Sequence, residues 1–156
     1  MPCGDTERVF RPSEISDDIE IAQLWRSAWM SANPTVAQVE PLAHWLARVR
    51  NEFRDLQVTL LLLNEDRLAA FMAVDPEARY LHQLFVAPDF QGQGIGARMI
   101  QQVCALCPEG WSLHVAESNV RARDFYARNH LQQGDEDVNP ITGRVRVSYT
   151  WRAPRA

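Results

Sequence analysis

Three glycines at every second position, Gly92, Gly94 and Gly96, open a helical pattern just after the apolar run Leu81 to Val86 and the turn Ala87-Pro88-Asp89-Phe90-Gln91. Glycine reaches backbone angles closed to other residues, and its missing side chain lets a ligand approach the main chain. The first turn of a helix has unpaired N–H groups and carries roughly half a positive charge from the helix dipole. Loop and helix start together make an anion cradle whose natural guest is a pyrophosphate. Three glycines here weaken the helix without a packing gain, so a ligand-free turn is the weaker expectation.

Two kinds of phosphate ligand fit the spacing. Gly92-x-Gly94-x-x-Ala97 matches the dinucleotide fingerprint, and Glu117 lies roughly twenty residues downstream, where that fingerprint wants an acid. The context argues against it. A dinucleotide strand runs almost directly into its first glycine, whereas here five residues intervene and Pro88 ends strand pairing. The segment before the loop reads as an antiparallel meander, and too little chain follows Glu117 for a second nucleotide-binding half.

The segment Gln91-Gly92-Gln93-Gly94-Ile95-Gly96 satisfies [QR]-x-x-G-x-[GA], and so resembles the acyl-CoA loop of the GNAT superfamily of N-acetyltransferases. Leu84 to Phe90 resembles that family's leading strand and turn. Asn119-Val120-Arg121-Ala122-Arg123-Asp124-Phe125-Tyr126 resembles its N-x-x-A-x-x-F-Y helix. The short loop pattern is weak alone; the two motifs in order, with a strand between, are specific. The resemblance runs from about residue 7 to 151 and implies acetyl-CoA as co-substrate with direct transfer to a primary amine of a small molecule, peptide or protein. It also implies backbone contacts to pantetheine from Leu84, Phe85 and Val86, and to pyrophosphate from Gln91, Gly92, Gln93, Gly94, Ile95, Gly96 and Ala97. Asn119 is either the helix cap or a pantetheine ligand. A fold that senses acyl-CoA without catalysis is the alternative. After its F-Y motif the family has a glycine and an aromatic; this chain has Asn129-His130-Leu131, and Asn and His tolerate left-handed angles.

Acetyl transfer to an amine needs a neutral nucleophile, help for the oxyanion and a proton for the leaving sulfur. A neutral tyrosine, with a pKa of roughly 10, can protonate a nascent thiolate, and the resemblance assigns that role to Tyr126. A lysine-like amine is neutral at pH 7 in a fraction on the order of one part in a thousand, whereas an N-terminal amine costs only about 1 kcal/mol to deprotonate. The base candidates by position are His82 and Gln83, on opposite faces of the strand before the loop, and Glu117 at the mouth of the next strand. His114 reads as sheet packing and His44 as the polar flank of a helix.

The elements that must position these groups follow from periodicity. Val9 to Arg11 is a short strand ended by Pro12. A helix starts at Asp17 and Asp18, buries Ile21, Leu24, Trp25 and Ala28, and ends before Pro34. A second runs from Pro41 to Phe53 on a stripe of Leu42, Trp45, Leu46, Val49 and Phe53. Strands follow at Gln57 to Leu63, Leu68 to Val74 and Tyr80 to Val86. The loop helix carries Ile95, Met99, Val103 and Leu106 on one face. Trp111 to Val115, the helix Asn119 to Arg128, and strands Leu131 to Asp135 and Arg144 to Trp151 complete the chain. The order β-α-α-β-β-β-α-β-α-β-β is an α+β fold, a mixed sheet flanked by helices, and it is the order the resemblance implies. Asp135-Glu136-Asp137 reads as a solvated loop, and Trp29 as a candidate wall of the acceptor pocket. Of the arginines, 121, 123 and 128 form a solvated helix face, with a cofactor 3′-phosphate as their alternative partner.

The 156 residues read as one domain, 1–156, with 46% apolar and 23% charged residues. A formal charge of −4 favours neither nucleic acid nor an anionic membrane. There is no long apolar run and no leader-like N-terminus, so a cytoplasmic protein is expected. Cys3, Cys104 and Cys107 suit neither a disulfide framework nor a metal site, and they are poorly placed as acyl carriers. The chain is expected to be a monomer or a homodimer.

Overall fold

The computed structural model describes residues 7–154. Strand β1 (Val9–Pro12) leads through a 3-10 turn into helix α1 (Asp18–Ala32) and then α2 (Leu42–Glu52). Strands β2 (Gln57–Leu63), β3 (Arg67–Asp75) and β4 (Tyr80–Val86) form a meander. Helix α3 (Ile95–Leu106), strand β5 (Gly110–Ala116), helix α4 (Val120–Arg128) and strands β6 (Gln132–Val138) and β7 (Val145–Arg152) follow. The element order is the one read from the sequence.

The strands form one seven-stranded sheet in the order β1-β2-β3-β4-β5-β7-β6. Every neighbouring pair is antiparallel except β4 and β5, which are parallel and joined only at Tyr80↔Ser112. Beyond that pair the two strands diverge. The α3 crossover spans the opening, because a parallel pair needs a crossover rather than a hairpin.

Apolar residues pack on both faces. One cluster joins Met72 and Val74 of β3, Leu81 of β4, and Trp111, Leu113 and Val115 of β5 to Ile95, Met99, Ile100 and Val103 of α3. The other joins Ile21, Trp25 and Ala28 of α1, and Trp45 and Val49 of α2, to Leu60, Phe71 and Ala73. Trp25 and Trp45 are core, as their stripes predict, with ring centroids 5.3 Å apart.

The start of α1 is held by Asp17. Its carboxylate takes two hydrogen bonds of 2.8 Å from Arg11 of β1 and one of 2.7 Å from the Glu14 N–H. The Arg11 hydrogen bonds hold the Asp17 carboxyl below the usual carboxylate range.

The last strands correct the sequence reading. Asp135, Glu136 and Asp137 lie inside β6, not in a loop. Every residue of β6 is exposed, because this edge strand is solvated on both faces. Its ladder to β7 and the Asp137–Arg146 ion pair at 2.6 Å hold it without apolar alternation. The departure at Asn129-His130-Leu131 is accommodated as the residue types suggest. His130 takes φ 70° and its N–H bonds the Ala127 carbonyl, while the Leu131 N–H bonds that of Tyr126.

Candidate active site

The loop from Gln91 to Gly94 starts from a 3-10 turn, Pro88–Phe90, and ends at the α3 N-cap, Gly94. Gly92 and Gly94 have φ of +80° and +75°, which suit glycine, and a Cβ built on either meets nothing within 4 Å. The first bond of α3 runs from the Arg98 N–H to the Gly94 carbonyl at 3.2 Å. The N–H groups of Ile95, Gly96 and Ala97 therefore have no acceptor among the described residues. Open space in front of unpaired amides at a helix start fits a phosphate.

Gly96 does something else. A Cβ there would lie 2.8 Å from the Phe125 ring, so this glycine lets α4 approach α3. The expectation that all three glycines lack a packing gain is corrected at this position.

Side chains brace the loop. Gln91 donates from Nε2 to the Val86 carbonyl at 3.2 Å and accepts at Oε1 from Arg121 at 2.7 Å, which ties strand end, loop and α4 together. Arg8, which no motif marked, donates to the Gln93 carbonyl at 3.0 Å. The arginines of α4 do not act as one patch. Arg121 faces the loop, Arg123 bonds the Tyr149 hydroxyl and the Glu117 carbonyl, and Arg128 bonds the Asp124 carbonyl.

Behind the loop lies the divergence of β4 and β5. Leu84 and Val86 pack on the α3 side and Phe85 on the α1–α2 side, and all three pair with β3. Alternate backbone groups on the opposite edge of β4 face the gap without a partner strand. The β3–β4 register passes from Ala73↔Gln83 to Val74↔Leu81, which makes His82 the extra residue of a bulge. Strict alternation from Leu84 would turn His82 toward α3; the bulge gives that place to Leu81. The sequence reading of His82 and Gln83 as simple opposites is corrected accordingly.

Tyr126 is 6% exposed, between Phe125 at 5.0 Å and Tyr149 at 6.2 Å between ring centroids. Burial alone pushes its hydroxyl well above the usual phenol range. It therefore stays protonated at neutral pH and is free to donate. Of its two readings, Asn119 takes the cap: Oδ1 accepts from the Ala122 N–H at 3.2 Å, which leaves Nδ2 uncommitted.

The base candidates are not brought together. Glu117 is exposed just past β5, held through its main chain by Val145 and Arg123. From the Tyr80↔Ser112 pair it lies roughly 10 Å further along its strand than His82 does along β4. His114 packs within the sheet as read, its ring 5.6 Å from that of Tyr80, and its Nδ1 also lies 2.6 Å from the Tyr80 hydroxyl. Cys104 accepts from the Trp111 indole at 3.4 Å and Cys107 is buried, so both serve packing; Cys3 lies outside the described residues. Among the described residues no three His, Cys, Asp or Glu side chains group as metal ligands, and no helix is long and apolar enough to cross a membrane.

A mixed sheet that opens between two parallel strands, with a glycine-lined helix start at the open end, is the architecture of acyl-CoA-dependent N-acyltransferases. The chain belongs to the acetyltransferase (GNAT) family, whose model matches residues 19–130. Over 57 residues, 34% of this chain and 39% of its relative, it is 39% identical to an uncharacterised N-acetyltransferase of Archaeoglobus fulgidus. Over 84 residues, 54% of this chain and 50% of its relative, it is 34% identical to the peptidyl-lysine N-acetyltransferase YjaB of Salmonella typhimurium. These matches span half or less of each relative's length. The PaiA N-acetyltransferase of Thermoplasma acidophilum, solved in complex with coenzyme A, shares the fold. It has a TM-score of 0.72 at 15% identity, over 93% of this chain and 99% of that one.

Proposed function

We propose that this chain moves an acetyl group from acetyl-CoA directly to a primary amine of a small molecule, peptide or protein. The observation that carries the reading is the gap between β4 and β5, closed at the single pair Tyr80↔Ser112 and ending at a helix start with unpaired N–H groups. A pyrophosphate fits the helix start, and a pantetheine arm can pair the free edge of β4 at Leu84, Phe85 and Val86. The coenzyme A in the PaiA structure and the lysine acceptor in the name of YjaB support this choice of donor and acceptor.

Acetyl-CoA supplies an activated acetyl group on a thiol leaving group. The amides of Gly92 to Ala97 hold the pyrophosphate charge, with Gln91 and Arg121 fixing the loop that presents them. Asn119 holds the start of α4, and Tyr126 in the second turn offers its proton to the departing sulfur. Burial that raises the phenol also desolvates a thiolate beside it, so the two stay comparable as proton partners. Neither Cys104 nor Cys107 is placed to carry an acyl group.

Calorimetric titration with acetyl-CoA, with NAD as control, followed by thiol release over a panel of amines, tests the reading. Micromolar acetyl-CoA binding and amine-dependent release are expected. Binding without release from any amine would make the protein an acyl-CoA sensor. Absence of binding by folded protein would return the loop to the dinucleotide or structural alternatives.

A further inference from the structure

Away from the β4–β5 gap, on the β1–β2 side of the sheet, the start of α1 and the end of α2 part around a cavity of about 520 Å³. That is room for a small ligand. Its base is apolar, with Phe53 and Val58 buried beneath it and Leu56 beside them. Ile15 stands at the rim, on the 3-10 turn before α1, and is 86% exposed. The walls are charged, with opposite signs on opposite sides. Glu14 and Asp18 come from the α1 side, and Arg50 and Arg54 from the end of α2 and the turn after it.

The two walls meet at Asp18 and Arg50, whose Oδ2 and Nε are 3.8 Å apart. That is beyond hydrogen-bond reach, so the pair uses up neither group's bonding capacity. The neighbouring Asp17 differs, because Arg11 grips it with two bonds of 2.8 Å. The Asp18 side chain is 18% exposed, whereas that of Arg50 is 57% exposed and can turn toward a guest. A phosphate ester would meet two carboxylates here, and a polyamine two guanidinium groups. A hydrocarbon would cover charged groups without pairing them. A chain terminus of a larger partner brings only one of the two charges. The guest that suits has both signs and an apolar body. An α-amino acid holds its ammonium nitrogen and carboxylate carbon about 2.5 Å apart, as standard bond lengths dictate. Laid across the Asp18–Arg50 pair, it offers each side chain the opposite charge at once.

We propose that this cavity is a binding site for a free α-amino acid with a large apolar side chain. The ammonium goes to Asp18, with Glu14 as second acceptor. The carboxylate goes to Arg50, with Arg54 as second donor. The side chain lies over Phe53 and Val58 and against Ile15, which it shields from water. The floor is continuous with the core behind the gap. Phe53 stacks on Trp25 at 5.1 Å between ring centroids, and Trp25 packs on Phe85 of β4 at 6.3 Å. The fold thus has a second ligand site that shares no residue with the glycine loop, the β4 edge or Tyr126.

Calorimetric titration of the full chain tests the site. L-phenylalanine and L-leucine should bind with a Kd of about 0.1–1 mM, a range expected of ligands with so few atoms. Three probes each lack one feature: N-acetyl-phenylalanine the ammonium, phenylalaninamide the carboxylate, and glycine the apolar body. Each should bind about tenfold more weakly or worse. Asp18→Asn and Arg50→Gln should each weaken phenylalanine binding by about tenfold or more. No binding of either apolar amino acid to folded protein at about 10 mM overturns the site. Binding that survives both substitutions also overturns it, because the ligand then sits elsewhere, such as the acceptor side of the gap. Equal binding of the blocked derivatives overturns it as well. Should a variant fail to fold, those derivatives test the same charges on the wild type. Acetyl transfer, read by thiol release, stands or falls separately.

Discussion

Gly96 of α3 and Phe125 of α4 are in such close contact that a methyl group on the glycine would lie 2.8 Å from the aromatic ring. The ring must move to admit any side chain. Gly96→Ala gains helix propensity, about 1 kcal/mol, and incurs overpacking of about 1–3 kcal/mol. The net expected in urea denaturation is a loss of up to about 2 kcal/mol, reversed when Phe125→Leu is added. A double mutant no better than the single would show that α3 and α4 are not in contact at this point.

Gly94 should respond differently. Its φ of +75° makes alanine strained by roughly 1–2 kcal/mol, and no neighbour clashes. The new methyl group would stand in open space at the α3 N-cap. Gly94→Ala should therefore weaken acetyl-CoA binding by more than tenfold in calorimetry while Phe125→Leu does nothing to rescue it. Unaltered affinity would remove the loop from the phosphate site.

Tyr126→Phe separates chemistry from structure. Burial alone shifts the hydroxyl, with no protein hydrogen bond acting on it, so its removal should leave the melting temperature within about a degree or two. Turnover should fall about a hundredfold with acetyl-CoA affinity nearly unchanged, as for the loss of a general acid. Full turnover in the phenylalanine variant would exclude Tyr126 from proton transfer.

The Asp17–Arg11 pair sets an acid limit on stability. Asp17 is held below the usual carboxylate range by Arg11, so its contribution is complete above the unfolded value of about 3.9 and fades as pH falls through the folded value. The Arg11 side chain is 36% exposed, so solvent screening lowers the worth of the pair to about 1–2 kcal/mol. Asp17→Asn should cost that much at pH 7 and progressively less as the pH falls below the unfolded value and through the lowered folded one. A pH-independent difference between the two melting curves would contradict the ion pair.

Much of the fold was legible because apolar spacing is a strong signal where one face is buried. Met99 and Val103 of α3, Trp45 and Val49 of α2, and the β4 boundaries Tyr80 and Val86 stand where periodicity puts them. Asp135 to Asp137 misled because an edge strand solvated on both faces needs no apolar alternation. His82 misled because a bulge shifts alternation by one residue and leaves no mark in composition. Of the site, Gly92 and Gly94 were legible as open, left-handed positions, whereas the packing duty of Gly96 depends on a ring 29 positions away. Arg8 and the Tyr80–His114 contact join residues distant in sequence, and no local pattern encodes such a meeting.

The single pair between β4 and β5 gives this sheet four strand margins where a continuous one has two. The outer margins are guarded by known means. The four-residue β1 ends in Pro12, and β6 lines its length with Asp135, Glu136 and Asp137, all poor templates for another chain. The inner margins belong to β4 and β5 and carry the apolar residues of the core. They need no such charges, because a foreign strand cannot enter a wedge that narrows to one residue pair and is spanned by α3. The chain thus keeps hydrogen-bonding backbone exposed at the centre of its sheet while presenting to other proteins only margins that resist aggregation.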